Sequence, residues 1–209
     1  MRKKTIVIAT HNQDKYNEMK NILESIGLSM KSLKDFPDIG EIPETGVTLE
    51  ENALIKARTV FQLTGLPALS DDTGLEVDAL DREPGVYSAR WAGDNCTYSD
   101  NVNKMIHKIK PLNIDDRTAQ FRTVMALVDE KREHIAEGVI KGCIIEEVKG
   151  VDGFGYDPVF YIPDMKKTYA EMNMNEKNQI SHRGKAVKNM QTFLQSHLPK
   201  IFQQMEDIA

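Results

Sequence analysis

Two long β-rich runs, Thr118 to Val128 and His134 to Val148, stand on either side of the polar tip Asp129-Glu130-Lys131-Arg132-Glu133. Runs of that length joined by so short a tip form a hairpin. No repeat and no low-complexity linker separates it from the rest of the chain. A second lobe therefore grows out of the same sheet instead of standing apart as its own domain. At 209 residues the chain can bury a core without metal or disulfide staples.

The remaining elements are placed by periodicity. Thr5 to Ala9 is a β-branched run that reads as a buried strand, and Met19, Ile22, Leu23 and Ile26 follow at helical spacing before Gly27 closes the helix. The loop Thr10-His11-Asn12-Gln13-Asp14-Lys15 thus lies between a strand end and a helix start, where backbone N–H groups and the helix dipole favour an anion. Thr10 and Asn12 can donate hydrogen bonds there and Lys15 can supply charge, although the glycines of a P-loop are missing. Asn12 equally suits the N-cap of the helix. A strand is expected over Leu28 to Leu33, then a turn-rich stretch with Pro37, Gly40, Pro43 and Gly46. Thr48-Leu49-Glu50-Glu51 is a capping box that starts a second helix. Its apolar face, Ala53, Leu54, Ala57, Val60 and Phe61, leaves Asn52 and Lys56 one turn apart on an adjoining face, with Glu44 just upstream. Lys56 in that place is either a solvated helix lysine or a charge for a ligand. Ser99 to Lys110 makes a third helix, stopped by Pro111, and the last helix presents Val187, Met190, Phe193 and Leu194.

Four stretches carry chemistry. Pro67 to Val77 reads as a strand broken by an acidic turn at Asp71-Asp72 and then resumed. Adjacent carboxylates repel, and water, a metal or a cation relieves them. Mg²⁺ takes one or two carboxylates, several waters and phosphate oxygens, which suits Glu44 and Asp72 facing a nucleotide. The same pair also occurs in plain surface turns. Gly153-Phe154-Gly155-Tyr156-Asp157-Pro158-Val159-Phe160 gathers glycines, rings and a carboxylate in one turn. A flat, hydrogen-bonding ligand such as a purine suits it; the other reading is a turn whose rings plug the core. In Pro84 to Gly93, Ser88 and Arg90 can reach a phosphate, while Tyr87 and Trp91 can anchor the loop or a subunit contact. Ser181-His182-Arg183-Gly184 opens the last helix, with Lys177 just upstream. A His-Arg pair there is usually a solvated charge pair; since that end of the helix disfavours cations, the other reading is a ligand.

The net charge of -5 and a pI near 5.6 argue against a general hold on a nucleic-acid polymer. Met1-Arg2-Lys3-Lys4 has the charge of a signal peptide, but the apolar run behind it ends at Ala9, too short for one. No apolar run approaches membrane-spanning length, and Cys96 and Cys143 are isolated, without metal-binding spacing. A soluble, reducing, cytoplasmic setting follows.

Taken together these stretches resemble the inosine triphosphate pyrophosphatase family, also called XTP/dITP diphosphatases or the Ham1 family. The resemblance runs through Thr10, Asn12 and Lys15; Glu44-Thr45-Gly46; Glu51-Asn52-Ala53 and Lys56-Ala57; and Ser70-Asp71-Asp72-Thr73-Gly74-Leu75. It continues through Pro84 to Arg90, Phe154 to Pro158 and Ser181 to Gly184, and covers about Ile6 to Met190. It implies an α/β fold, elongated and two-lobed, built around a long mixed β-sheet with flanking helices and an active-site cleft between the lobes. One domain over 1–198, a tail over 199–209 and a homodimer are expected. The implied reaction hydrolyses ITP, dITP and XTP to the monophosphate and pyrophosphate with Mg²⁺. By the same resemblance the loop of Thr10, His11, Asn12, Gln13, Asp14 and Lys15 holds the phosphates with Lys56 assisting, and Glu44 and Asp72 lie at the metal. Asp72 is the proton acceptor, with Thr73 beside it on the substrate. Phe154 stacks on the base, Gly155, Tyr156 and Asp157 complete that wall, and Lys177, His182 and Arg183 finish the purine pocket. His11 departs from the family, where glycine is common.

Physical chemistry supports this division. Hypoxanthine and xanthine carry a 6-carbonyl acceptor where adenine carries an amino donor, so donors from His182 and Arg183 pair with the first and not the second. An unmatched buried group costs about 1–3 kcal/mol. Guanine shares the 6-carbonyl, and only pocket shape separates it. The expected chemistry is metal-assisted phosphoryl transfer to water, with Lys15 and Lys56 as fixed charge. Asp72 deprotonates the water or only positions it, in which case Asp71 or a metal-bound hydroxide carries the proton. Two other readings fit parts of the chain: a pyrophosphatase for modified pyrimidines or methylated bases, and a nucleotide-binding sensor without hydrolysis. The latter has no need of Lys15, Glu44, Lys56, Asp71 and Asp72 together.

Overall fold

A computed structural model of the chain describes residues 4–202, with the side chains of residues 14, 21, 175, 199 and 200 outside the description. In chain order the elements are β1 (Thr5–Ile8), α1 (Gln13–Leu23), β2 (Ser29–Ser32), α2 (Leu49–Thr64), β3 (Ala68–Val77) and β4 (Pro84–Gly85). Then come α3 (Tyr98–Ile109), β5 (Thr118–Val128), β6 (Glu133–Ile144), β7 (Phe160–Ile162), β8 (Lys167–Thr168), α4 (Met174–Ile180) and α5 (His182–Phe202). The eight strands form one sheet in the order β2-β1-β3-β5-β6-β7-β8, with β4 against β3. It is mixed: β1 runs parallel to β2 and β3, whereas β7 runs antiparallel to β6 and β8. The α/β class and the long mixed sheet with helices around it are as the sequence led us to expect. The hairpin is the β5–β6 pair, its tip closed by Asp129 N–H donating to the Arg132 carbonyl. β6 ends at Ile144, short of Val148, and the last helix runs to Phe202.

The chain divides into two compact units. One gathers the described residues of Met1–Asp72, Thr123–Gly138 and Gly184–Ala209; the other gathers Thr73–Arg122 and Val139–Arg183. In the first, Ile6 and Ile8 of β1 and Leu69 of β3 pack with Met19 and Leu23 of α1 and with Val187, Met190 and Leu194 of α5. Parallel strands are covered on both faces and read as near-continuous apolar runs, which is why β1 looked buried in the sequence. In the second unit, Leu75, Phe121, Ile140 and Phe160 from the strands pack with Val102, Met105 and Ile109 of α3 and with Tyr156, Tyr169 and Trp91.

β3 corrects one expectation. It is a single unbroken strand, Ala68–Val77, with Asp71 and Asp72 inside it and no turn between its halves. Successive side chains of a strand point to opposite faces, so the two aspartates do not face each other and no turn is needed to part them.

Candidate active site

In the first unit the site begins with helix starts. Thr48 caps α2: its side chain accepts the Glu51 N–H at 3.1 Å and Glu51 Oε2 accepts the Thr48 N–H at 3.2 Å. Such a cap contributes about 1 kcal/mol, and it fixes where the second turn places Lys56. Asn12 does the same for α1, accepting the Lys15 N–H at 3.1 Å, while Thr10 Oγ1 accepts the Asn12 N–H at 3.2 Å. The N-cap reading of Asn12 therefore holds, and the loop from 10 to 15 ends at a helix N-terminus. His11 Nε2 lies 3.1 Å from the Gly40 carbonyl, and Gln13 accepts from Lys34 Nζ at 2.6 Å and donates to Asn17 at 3.1 Å. The Asp14 side chain is outside the described residues.

β3 then deals its two carboxylates to two helices. On one face, Leu69 packs with α1 and Asp71 Oδ2 lies 3.1 Å from Lys15 Nζ. On the other, Ser70 Oγ donates to the Ala53 carbonyl of α2 and Lys56 Nζ lies 3.3 Å from Asp72 Oδ1. Lys56 Nζ also lies 2.5 Å from Glu44 Oε1. Lys56 is thus no solvated helix lysine, since only 9% of it is exposed. Burial by itself lowers its pKa, but Asp72, Asp71 and Glu44 outweigh that and hold the ammonium above its ordinary value. Burial pushes the Asp72 carboxyl above the usual carboxylate range; Lys56 and Lys15 pull it down, Glu44 and Asp71 push it up, and the upward side prevails.

Asp72 Oδ2 is buried and has no hydrogen-bond partner among the described residues. Nor do the described residues contain a group of three or more His, Cys, Asp or Glu placed to hold a metal ion by themselves. An ion here would lean on Glu44 and Asp72, which converge on one ammonium, and take its other ligands from water and phosphate oxygens. Mg²⁺ usually binds in that way, so the donor set fits it.

In the second unit the turn at 153–157 is built on Asp157, only 3% exposed. Asp157 Oδ2 accepts the Phe154 N–H at 2.9 Å and Lys177 Nζ at 2.5 Å. A Cβ on Gly153, at φ 79°, would sit 2.1 Å from that oxygen, so the close approach demands glycine. Burial raises the Asp157 pKa against the pull of Lys177. Lys177 Nζ stands 5.0 Å from the Phe154 ring centroid and Arg183 Cζ 6.0 Å, which brings three of the expected base-binding residues together. Thr73 follows Asp72 along β3.

Three residues of these stretches also serve the packing of this unit. Tyr156 packs in the core: it is 3% exposed, and its hydroxyl donates to the Ser88 carbonyl at 3.0 Å. His182 is packed flat on Phe121, ring centroids 4.8 Å apart, with Nδ1 3.4 Å from the Tyr169 hydroxyl. Ser88 serves the loop itself, donating to the Gly85 carbonyl and accepting the Leu75 N–H. Arg90 lies over the Tyr87 ring at 5.3 Å. Two further residues join these groups without having been singled out as site residues. Tyr98, at the start of α3, packs beside Phe154 at 6.1 Å, and nothing in the local sequence announces it. Asn52, one turn before Lys56, is fully buried; its place beside that lysine was the available signal.

Residues 6–193 match the Ham1 family. The chain is 43% identical over 193 residues to a dITP/XTP pyrophosphatase of Thermoanaerobacter pseudethanolicus, covering 92% of this chain and 98% of that one. It is 48% identical to a dITP/XTP pyrophosphatase of Elusimicrobium minutum, covering 87% and 94%. Among solved structures it is similar to a HAM1 protein from Coxiella burnetii, with a TM-score of 0.87 and 41% identity over 92% of this chain and 98% of that one.

Proposed function

The chain belongs to the Ham1 family, and from that premise we propose that it hydrolyses non-standard purine nucleoside triphosphates, ITP, dITP and XTP, to the monophosphate and pyrophosphate. Such a reaction clears these nucleotides before they enter DNA or RNA. The observation that carries the reading is Asp72: buried beside Lys56, whose ammonium also reaches Glu44, and with Oδ2 lacking a partner among the described residues.

The loop from Thr10 to Lys15 receives the phosphate chain at the start of α1, where Lys15 and the helix N-terminus supply positive charge. Glu44 and Asp72 would hold Mg²⁺, which when bound would neutralise charge developing on the phosphates. Water attacks one phosphorus of the α–β bridge, the bond from that phosphorus to the bridging oxygen breaks, and that oxygen departs with the phosphate group on the other side, giving monophosphate and pyrophosphate. The proton of the water passes to Asp72 Oδ2. Asp72 suits that task better than Asp71, whose side chain is fully buried and paired with Lys15 at 3.1 Å. Lys56 keeps the Asp72 carboxylate oriented and offsets the negative charge around it.

Phe154 takes the face of the base. Lys177 and Arg183, beside that ring, offer N–H donors that match the 6-carbonyl of hypoxanthine and xanthine and mismatch the amino group of adenine. The proposed assembly is a homodimer, and the proposed setting is the cytoplasm. No helix among the described residues is long and apolar enough to cross a membrane, and the acidic net charge disfavours a nucleic-acid polymer as partner.

The test is pyrophosphate release from dITP, XTP, dGTP and dATP with Mg²⁺, for wild type and Asp72→Asn. Strong release from dITP and XTP, weak release from the other two and collapse in the variant are expected. Equal rates on all four substrates would overturn the base assignment, and an active variant would overturn the role of Asp72.

A further inference from the structure

Asn52 lies one turn before Lys56 on α2 and is 0% exposed. Its Oδ1 accepts the N–H of Gly46 at 2.7 Å. The contact leaves no room for a side chain at 46: a Cβ there would sit 2.6 Å from Glu51 Cβ and 2.7 Å from Asn52 Oδ1. The next backbone N–H, of Val47, goes to Glu51 Oε2 at 2.6 Å. Consecutive N–H groups thus pin the corner that follows Glu44 to the first turn of α2. Glu44 itself reaches Lys56 at 2.5 Å.

The other end of the Asn52 amide is spent differently. Its Nδ2 is buried and has no hydrogen-bond partner among the described residues. What the amide does hold is the Gly46 N–H, through Oδ1. We propose that Asn52 is a positioning residue: by holding the Gly46 N–H it aims Glu44 at Lys56 and Asp72, and so sets the place where a divalent cation meets the phosphate chain. This rests on the assignment of Glu44 and Asp72 as cation ligands. Outer partners of ligating carboxylates act on the metal through the ligand they orient.

Wild type, Asn52→Ala, Asn52→Asp and Gly46→Ala are compared by titration with Mn²⁺ in the presence of inorganic pyrophosphate, read by water-proton relaxation. The Mg²⁺ dependence of dITP hydrolysis is measured alongside, with thermal unfolding as the control for folding. Asn52→Ala is expected to weaken Mn²⁺ binding about tenfold. The Mg²⁺ concentration for half-maximal rate rises in parallel, while KM for dITP at saturating metal stays within about twofold. Asn52→Asp keeps an oxygen for the Gly46 N–H and binds Mn²⁺ at least as tightly as wild type. Gly46→Ala disturbs the same contact from the other side and is expected to weaken Mn²⁺ binding as well. Unchanged Mn²⁺ binding in a folded Asn52→Ala protein overturns the proposal. So does an Asn52→Asp protein as weak as Asn52→Ala. If Asn52→Ala does not fold, Asn52→Asp and Gly46→Ala carry the same comparison. A wild type that neither binds Mn²⁺ nor hydrolyses dITP overturns the assignment beneath the proposal instead.

Discussion

Lys56 Nζ lies 3.3 Å from Asp72 Oδ1, and neither residue is more than 9% exposed. The same ammonium serves Glu44, so one positive charge answers two carboxylates. Replacing it with an apolar side chain of similar length, Lys56→Met, leaves both without their cation. Removal of one partner from a buried pair costs about 3 kcal/mol or more. Denaturant unfolding is expected to show a loss of that order in metal-free buffer, with added Mg²⁺ restoring part of it. A variant as stable as wild type would mean that solvent already screens the carboxylates.

The raised pKa of Asp72 has a defined sign in the stability of the protein. Burial, the largest cause, favours the protonated form, so the folded state keeps a proton that the unfolded state gives up. Between the ordinary carboxylate pKa and the raised one, stability falls as pH rises; above the raised value the loss is complete. Asp72→Asn cannot ionise at that position. In mildly alkaline, metal-free buffer it is expected to unfold at a higher temperature than wild type, and the gap closes as pH falls through that window. Identical pH responses of the two proteins in thermal unfolding would refute this assignment.

Phe154 offers its ring to the base and takes no part in bond breaking. Stacking of a base on an aromatic ring is worth about 1–3 kcal/mol by alanine substitution. Phe154→Ala is therefore expected to raise KM for dITP by about tenfold while kcat changes little. Steady-state kinetics on dITP and XTP check it, and a fall in kcat with KM unmoved would place the ring elsewhere in the reaction.

Two glycines of one turn separate backbone strain from contact. Gly153 and Gly155 both have positive φ, 79° and 63°, but a Cβ on Gly153 strikes Asp157 whereas one on Gly155 meets nothing within 4 Å. Gly155→Ala is expected to cost about 1–2 kcal/mol, the strain of the left-handed region. Gly153→Ala costs more and also displaces the carboxylate that holds Lys177 and Phe154, so its KM for dITP rises where that of Gly155→Ala does not. Paired melting curves and kinetics decide the matter.

Much of this molecule was legible in the amino-acid sequence, for reasons particular to each segment. The β-branched run at Thr5, the capping box at Thr48 and the polar tip at Asp129 are local signals, and each marks an element that stands close to where the pattern put it. The capping box also carried Lys56 and Asn52 to one side of α2. The acidic pair lies inside β3 and forms no turn, although adjacent like charges suggest one while their partners are unknown.

The sequence by itself determined the elements, the family and the residue types available for chemistry, since periodicity and capping act over a few residues. Only the tertiary structure decided which lysine meets which aspartate: Lys15 takes Asp71 and Lys56 takes Asp72, because the pleat of β3 turns neighbouring side chains to opposite faces and different helices cover those faces. It also decided that Tyr156 and His182 pack inward while Phe154 stays half-buried beside Lys177. A ring or a charge acquires its role from partners far away in the chain, and local patterns carry no record of how those distant residues pack.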